Sequence, residues 1–325
     1  MNISEDYIPE KIADNIYLTD TLYLGREKFA ASYFIEDGGE IAIVETNTNH
    51  AIPGILNAIL NSGFKLSQIK YVVLTHIHLD HAGGAGLIMK ELPDAELIVH
   101  PRGARHMISP EKLIESVKSV YGEEEYKNLY GDIIGIPEGK VISLTGGESI
   151  SIGKRKLTMI DAPGHAKHHN IIYDESSGSV FSGDAFGIGY PRFRYGKGDL
   201  IFPSTSPVQF DPESAIQTYK MITDLNPARI LLTHFGSVEN IEEIHTQLLE
   251  WIDYTAEYSS KRFSEGYRMD KLSEKLSEDI WGKFSERSVL LTGKSLSDEE
   301  RDFLFLDADL NGKGASFYIS QKNLR

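Results

Sequence analysis

The 325-residue chain contains no cysteine. Structural disulfides, thiolate metal sites, iron–sulfur clusters and a cysteine nucleophile are therefore excluded, and any metal must be held by histidine nitrogen and carboxylate oxygen. No apolar run reaches the ~18 residues that a membrane-spanning helix needs. The opening stretch MNISEDYIPEKIADN has neither the basic start nor the apolar core of a secretory leader. These absences predict a cytoplasmic protein with no membrane partner. Positive charge is also scarce: 33 Lys and Arg face 48 Asp and Glu, a formal net charge of −15, and no basic block occurs. That balance disfavours phosphate backbones, so nucleic acid is not an expected partner and a small-molecule substrate is. Neither a G-x-S-x-G elbow nor a Walker A loop is present.

Hydrophobic residues make up 41% of the chain, and at this length roughly three quarters of the unfolded surface can be buried, enough for one large domain or two modest ones. The first fifty residues read as strands, IYLTDTLYLG, FAASYFIEDG and EIAIVET, with Asp-Gly and Gly-Gly breaks between them. Ile52, Ile55, Leu56, Ile59 and Leu60 then share a helical face, with Gly63 as C-cap. YVVLT (71–75) and ELIVH (96–100) read as buried strands, with a helix opening at Gly83, Gly84 and Gly86 between them. Strands alternating with helices are the signature of a layered sheet protein. Residues 101–136 break the rhythm: a Ser109-Pro110 helix start, then Leu113, Ile114 and Val117 at helical spacing, with Tyr126 and Tyr130 beyond, predict a helical insertion. Strands resume at VISL, SISI, LTMIDA, IIYD and SVFSGD, a helix starts at Asp211-Pro212, and RILLTHFG is the last strand. Beyond it Ile241, Ile244, Leu248 and Ile252 recur at helical spacing, and Ser297 with Glu300 forms a capping box. The expected organisation is a layered domain over 1–236 and a helical extension over 237–325 packed on it.

Five of the eleven histidines fall where a strand gives way to a loop. YVVLT runs into His76-Ile77-His78-Leu79-Asp80-His81, LTMIDAPG into His165, SVFSG into Asp184 and RILLT into His234. Alternation in an extended stretch points His76, His78 and Asp80 to one side, and the turn into the glycines brings His81 beside them. In a layered α/β protein neighbouring strand ends line one edge of the sheet, where ligands bind. A lone histidine at a strand end is usually a hydrogen-bonded surface or core residue. Four ligand-type residues within six positions after an apolar run are different: buried without a metal, they would leave polar groups unsatisfied at a cost of several kcal/mol by rough count. Imidazole and carboxylate suit Zn²⁺, Fe and Mn²⁺ alike.

THIHLDHAGG (75–84) resembles the His-x-His-x-Asp-His signature of the metallo-β-lactamase-fold proteins, and His165 in APGHAKHH, Asp184 in FSGDAFG and His234 in LTHFG keep the family's order. The resemblance covers about residues 10–236. It implies an α+β fold, a four-layer αβ/βα sandwich with the site at one edge, here with a helical insertion and a helical C-terminal extension. Carried over residue by residue, it implies that His76, His78 and His165 hold one metal, that Asp80, His81 and His234 hold a second, and that Asp184 bridges both. Two divalent ions are implied, Zn²⁺ foremost, with Fe or Mn²⁺ as alternatives. The family often has an Asp-Thr/Ser-Gly turn after an early strand, where this chain has Glu45-Thr46-Asn47, so Glu45 is a candidate for supporting the site. With Asp80 where many of the antibiotic hydrolases use a cysteine, and with no leader expected, the chain looks more similar to the glyoxalase-II-like and general hydrolase branch.

The expected activity is hydrolysis of an ester, thioester or lactone-type acyl bond by a metal-bridging hydroxide, with Asp80 both a ligand and a catalytic proton carrier. His168 and His169 are candidates for supporting the metals or touching substrate. The loop 187–210, with Tyr190, Arg192, Arg194 and Lys197, reads either as a substrate wall for an anionic group or as a packed tie to the C-terminal helices or to a homodimer partner. Asp307, Asp309, Asn311 and Gly312 begin like a calcium loop, but Tyr318 stands where its bidentate Glu belongs. A second function class is a diiron oxygen-binding or redox protein on the same fold. Flavodiiron reductases usually carry Glu where this chain has His78, together with a flavin domain that it lacks. A metallonuclease is disfavoured by the charge of −15.

Overall fold

The computed structural model describes residues 7–195, 198–205, 207 and 209–323, and Lys197 lies outside them. Among the described residues the chain divides into two compact units, one of Met1–Asp161, His168–Gly183 and Pro227–Glu239, the other of Ala162–Lys167, Asp184–Asn226 and Asn240–Arg325.

The first unit begins with a meander of β1 (Glu10–Ala13), β2 (Ile16–Asp20), β3 (Ala31–Asp37) and β4 (Glu40–Val44), each antiparallel to the next. A two-residue Gly38-Gly39 turn at positive φ joins β3 to β4. From β4 to β7 successive strands are joined through helices, which parallel pairing requires. α1 (Ile52–Asn61) leads to β5 (Ile69–Val73), α2 (Leu79–Ala82) and α3 (Ala85–Glu91) to β6 (Glu96–Val99). α4 (Pro101–Ile108), α5 (Glu111–Tyr121) and α6 (Glu123–Tyr130) form the insertion before β7 (Val141–Ser143). The seven strands lie side by side in chain order. Ile52, Ile55, Leu56 and Ile59 of α1 enter one core with Ile41, Ile43, Val72 and Leu97 of the sheet. In the insertion, Tyr126 and Tyr130 close over Leu79, a residue of the histidine motif.

A second sheet in the same unit is built from β8 (Ser149–Ile152), β9 (Arg155–Asp161), β10 (Asn170–Asp174) and β11 (Ser179–Gly183). After β12 (Arg194–Tyr195), β13 (Gly198–Asp199) and α7 (Pro212–Asp224), which belong to the other unit, it is completed by β14 (Arg229–Leu232) and β15 (Gly236–Val238). Its order is β15-β14-β11-β10-β9-β8, with only the β11–β14 pair parallel. The two sheets face each other: the Tyr33 ring of β3 meets Phe181 of β11 edge-on at 5.4 Å, and its hydroxyl donates to the Leu232 carbonyl at 2.5 Å. Sheets with short antiparallel arms and helical crossovers place the fold in the α+β class.

Two expected elements differ. LYLG (22–25) does not continue β2. Asp20 accepts from the amides of Leu22 and Lys28 at 3.0 and 2.7 Å, and this clamp curls the loop, with Leu22, Leu24, Gly25 and Lys28 at positive φ. The run after β5 likewise stops being extended at His78, where α2 begins.

The second unit holds α7, whose Asp211 caps the Ser214 amide at 3.1 Å, and the helices α8 (Ile241–Ser264), α9 (Met269–Thr292) and α10 (Asp298–Lys322). The Ser297–Glu300 capping box starts α10 as the sequence predicts. α9 and α10 pack through Leu272, Leu276, Ala315 and Ile319. Among the described residues no helix is long and apolar enough to cross a membrane.

Candidate metal centre

In the first unit the candidate donors and the groups that turn them come from three segments. Beyond β5 the chain bends at Thr75 and is extended at His78, and His76 and His78 lie on one side, as alternation predicts. His76 Nε2 lies 3.0 Å from His78 Nδ1, and Thr75 Oγ1 lies 3.1 Å from His76 Nδ1. Asp80 does not continue this register, because Leu79–Ala82 wind into a helical turn. The cause is local. Glu45-Thr46-Asn47 turns sharply, with Glu45 and Asn47 at φ +69° and +52°. Thr46 then donates from N and from Oγ1 to the His81 carbonyl, each at 2.9 Å. Asn47 Nδ2 donates to the Asp80 carbonyl at 2.8 Å. Carbonyls drawn in this way turn the side chains of Asp80 and His81 in a direction that an extended chain could not give them.

The buried Glu45 carboxylate accepts from the Thr75 amide at 3.0 Å, and its other oxygen faces His81 Nδ1 at 3.5 Å. That leaves His81 Nε2 3.8 Å from Asp80 Oδ2. The third segment follows β14. His234 donates its Nδ1 proton to the Phe29 carbonyl at 2.9 Å, which fixes the tautomer and turns Nε2 toward Asp80 Oδ2 at 3.4 Å. Asp80, His81 and His234 thus bring one ligand atom each within 4.8 Å of the others.

In the second unit His165 and Asp184 show the same pattern. α7 holds the preceding turn: Thr218 Oγ1 donates to the Pro163 carbonyl at 2.6 Å and the Asp211 amide to the Gly164 carbonyl at 2.9 Å. Gly164, at φ +131°, lies against the backbone of Ala215, where a Cβ would not fit. His165 Nδ1 donates to the Ser204 carbonyl at 2.9 Å, and Nε2 faces Asp184 Oδ2 at 3.6 Å.

These contacts test whether the residues suit a metal. With Nδ1 protonated, Nε2 of His234 or His165 carries a lone pair and so does the carboxylate oxygen opposite, so only a proton or a cation reconciles them. A tetrahedral ion with ligands at about 2.1 Å sets neighbouring donors about 3.4 Å apart, and the observed spacings of 3.4, 3.6 and 3.8 Å start at that separation and run slightly wider. Two imidazoles aimed at one carboxylate oxygen are a poor hydrogen-bond arrangement and a good ligand set.

The other candidates divide. His169 is fully buried and stacks on His76 with ring centroids 4.6 Å apart, and His168 meets the His78 ring edge-on at 5.4 Å. Gly183 lies against both Thr75 and His169, so a side chain there would displace them. In the second unit Tyr190 and Arg192 of the 187–210 loop turn to α10. The Tyr190 hydroxyl donates to the Asp307 carboxylate at 3.0 Å, and Arg192 pairs with Glu299 at 2.7 Å above the Phe303 ring. Arg194 donates to the Gly189 carbonyl at 3.2 Å. The acceptors that orient His234 and His165 are main-chain carbonyls, of Phe29 and Ser204, for which the sequence carries no signal. The roles of Thr46 and Asn47 have one: an asparagine able to hold positive φ beside an acidic residue, in the place where relatives turn on glycine.

Comparison with known proteins gives a consistent result. The family model described as the metallo-beta-lactamase superfamily matches residues 25–234. The metallo-beta-lactamase fold-containing protein ST1585 of Sulfurisphaera tokodaii is 30% identical over 190 residues, covering 57% of this chain and 67% of that protein. The hydroxyacylglutathione hydrolase of Yersinia enterocolitica is 27% identical over 160 residues, 49% of either chain. Among solved structures, the metallo-beta-lactamase family protein TTHA1429 from Thermus thermophilus superposes with a TM-score of 0.62 at 18% identity, covering 96% of this chain and 95% of that one. The helical extension lies outside the matched segment, while the histidine motif, His165, Asp184 and His234 lie within it, and the chain belongs to the metallo-β-lactamase superfamily.

Proposed function

We propose that the protein is a dinuclear metallohydrolase that cleaves an ester, thioester or lactone-type acyl bond of a small molecule. The observation that carries this reading is the convergence of Asp80, His81 and His234 on one point, with the Phe29 carbonyl accepting from the outer nitrogen of His234 and the Glu45 carboxylate facing that of His81 at 3.5 Å. In this reading His76, His78 and His165 hold one ion, Asp80, His81 and His234 hold the other, and Asp184 bridges them. The bound ions would supply water ionised near neutral pH and Lewis acidity toward the acyl carbonyl.

The protein's own residues do the rest. The Phe29 carbonyl holds His234 in the tautomer that presents Nε2 inward, and the Glu45 carboxylate faces Nδ1 of His81. His169 buttresses the His76 ring from behind. The Asp80 side chain is about a third exposed, at 30%, unlike its buried neighbours, so it reaches both the interior and arriving solvent. We assign it to deliver a proton to the leaving group. Similarity to a hydroxyacylglutathione hydrolase favours thioesters within the acyl class.

The test is to reconstitute chelator-treated protein separately with Zn²⁺, Mn²⁺ and Fe²⁺ and assay thioesters, lactones and phosphodiesters. Acyl hydrolysis with two ions bound per chain is expected. Asp80→Asn should lower kcat on the order of 10²–10³-fold, the range of a general acid. Strong visible absorption that responds to oxygen, without turnover of any acyl substrate, would instead establish the diiron reading.

A further inference from the structure

We infer that Asn311, on the C-terminal helix and outside the family match, is a positioning residue for His165. The inference rests on the metal-centre reading for its functional meaning, but its geometry stands within one unit. Asn311 is buried at 7% exposure in the middle of α10, where asparagine is a poor helix former and competes for backbone hydrogen bonds. Its side chain is fully engaged. Nδ2 donates to the Asp307 carbonyl at 2.8 Å, which fixes the amide's orientation. Oδ1 accepts from the Thr205 amide at 2.9 Å and lies 2.7 Å from Thr205 Oγ1, itself 2.9 Å from the Asn311 carbonyl.

The amide that Asn311 holds and the carbonyl that accepts from His165 belong to one peptide group. Ser204 C=O and Thr205 N–H are the two ends of a single planar unit and point in opposite directions. Asn311 grips one end, and His165 Nδ1 donates to the other at 2.9 Å. Rotation of that plane would break both bonds together. Drawing charge through the plane also polarises the carbonyl, which strengthens its hold on Nδ1–H and the basicity of Nε2. Gly314, one turn further along α10, completes the clamp: a Cβ there would collide with the Thr205 carbonyl oxygen. The C-terminal helix therefore sets the tautomer of a ligand that precedes it by most of the second unit.

The experiment follows the His165 ring by nitrogen NMR in full-length, chelator-treated protein, with its resonances assigned by their loss in His165→Gln, and then measures divalent-metal affinity. The parent protein should show the Nδ1–H tautomer. Asn311→Ala, by releasing the plane, and Gly314→Ala, by displacing Thr205, should each give a tautomer mixture. Each should also weaken one of the two ions about tenfold, the lower end of what loss of an outer partner costs. Leu276→Ala, in the apolar contact between α9 and α10, should lower the melting temperature and leave tautomer and affinity unchanged. If Asn311→Ala fails to fold, Gly314→Ala still decides. The inference is overturned if the foldable variants keep the parent tautomer, or if Leu276→Ala shifts it equally. A parent protein that binds no divalent metal would refute the metallohydrolase reading while the tautomer measurement still judged the relay.

Discussion

At the scale of single residues, the site is decided by what lies behind each imidazole. Glu45 touches the Thr75 amide and the back of His81, so replacing it acts on metal binding without removing a ligand. Glu45→Ala should weaken metal affinity by about 10–100-fold, and Glu45→Gln, which keeps an acceptor for Thr75, by less. Titration calorimetry of the two variants against the parent checks the order. A different histidine senses pH. His100 caps α4 by accepting the Arg102 amide on Nδ1 at 3.1 Å, and its Nε2 donates to Asp161 at 3.0 Å. Burial pushes its pKa below the ordinary histidine value, outweighing the Asp161 carboxylate, which raises it, and joined by Arg102, which lowers it further. The unfolded chain therefore takes up this proton first as pH falls. Stability contributed by the neutral ring is complete above about pH 6.5 and is lost as pH drops through the lower folded value. Chemical denaturation across that window should show a slope that His100→Asn, a cap that does not titrate, removes.

At the scale of elements, what was legible depended on how local the cause is. α1 is written in its own spacing of Ile52, Ile55, Leu56 and Ile59, and the start of α10 in Ser297 and Glu300, and both form as read. The loop after β2 is not local. Leu22 and Leu24 look like strand residues, and only the Asp20 carboxylate reaching forward to Lys28 turns them aside. The helical turn at Leu79–Ala82 is likewise imposed from residues 45–47, more distant in sequence than periodicity can see. The contact of α9 with α10 was also hidden, because Gly312 reads in the sequence as part of a run that begins like a calcium loop. It is instead the point of closest approach, where an added Cβ would sit 2.7 Å from the Ser277 amide nitrogen and 2.9 Å from the Ser273 carbonyl. Gly312→Ala should therefore destabilise the protein by about 1–3 kcal/mol despite alanine's better helix propensity, a sign that thermal unfolding reads directly.

At the scale of the whole molecule, sequence order identified candidate ligands in four segments but not what orients them, since the carbonyls of Phe29 and Ser204 leave no mark in a sequence. Net charge acts at this scale too. A chain at −15 attracts cations and repels carboxylate-bearing substrates over distances that salt screens. For an anionic thioester, kcat/KM should rise about twofold or more from low to physiological ionic strength, while a neutral lactone should show no such change. Steady-state rates with an inert salt distinguish the two. The placement of His234 has a further consequence. Its partners Asp80 and His81 follow the first sheet, whereas it follows β14 of the second. During synthesis the histidine motif leaves the ribosome well before β14 exists, so a nascent chain presents only part of the ligand set. In the metallohydrolase reading ion capture would be deferred until the late strands dock, and prematurely terminated translation products would lack the means to retain a metal.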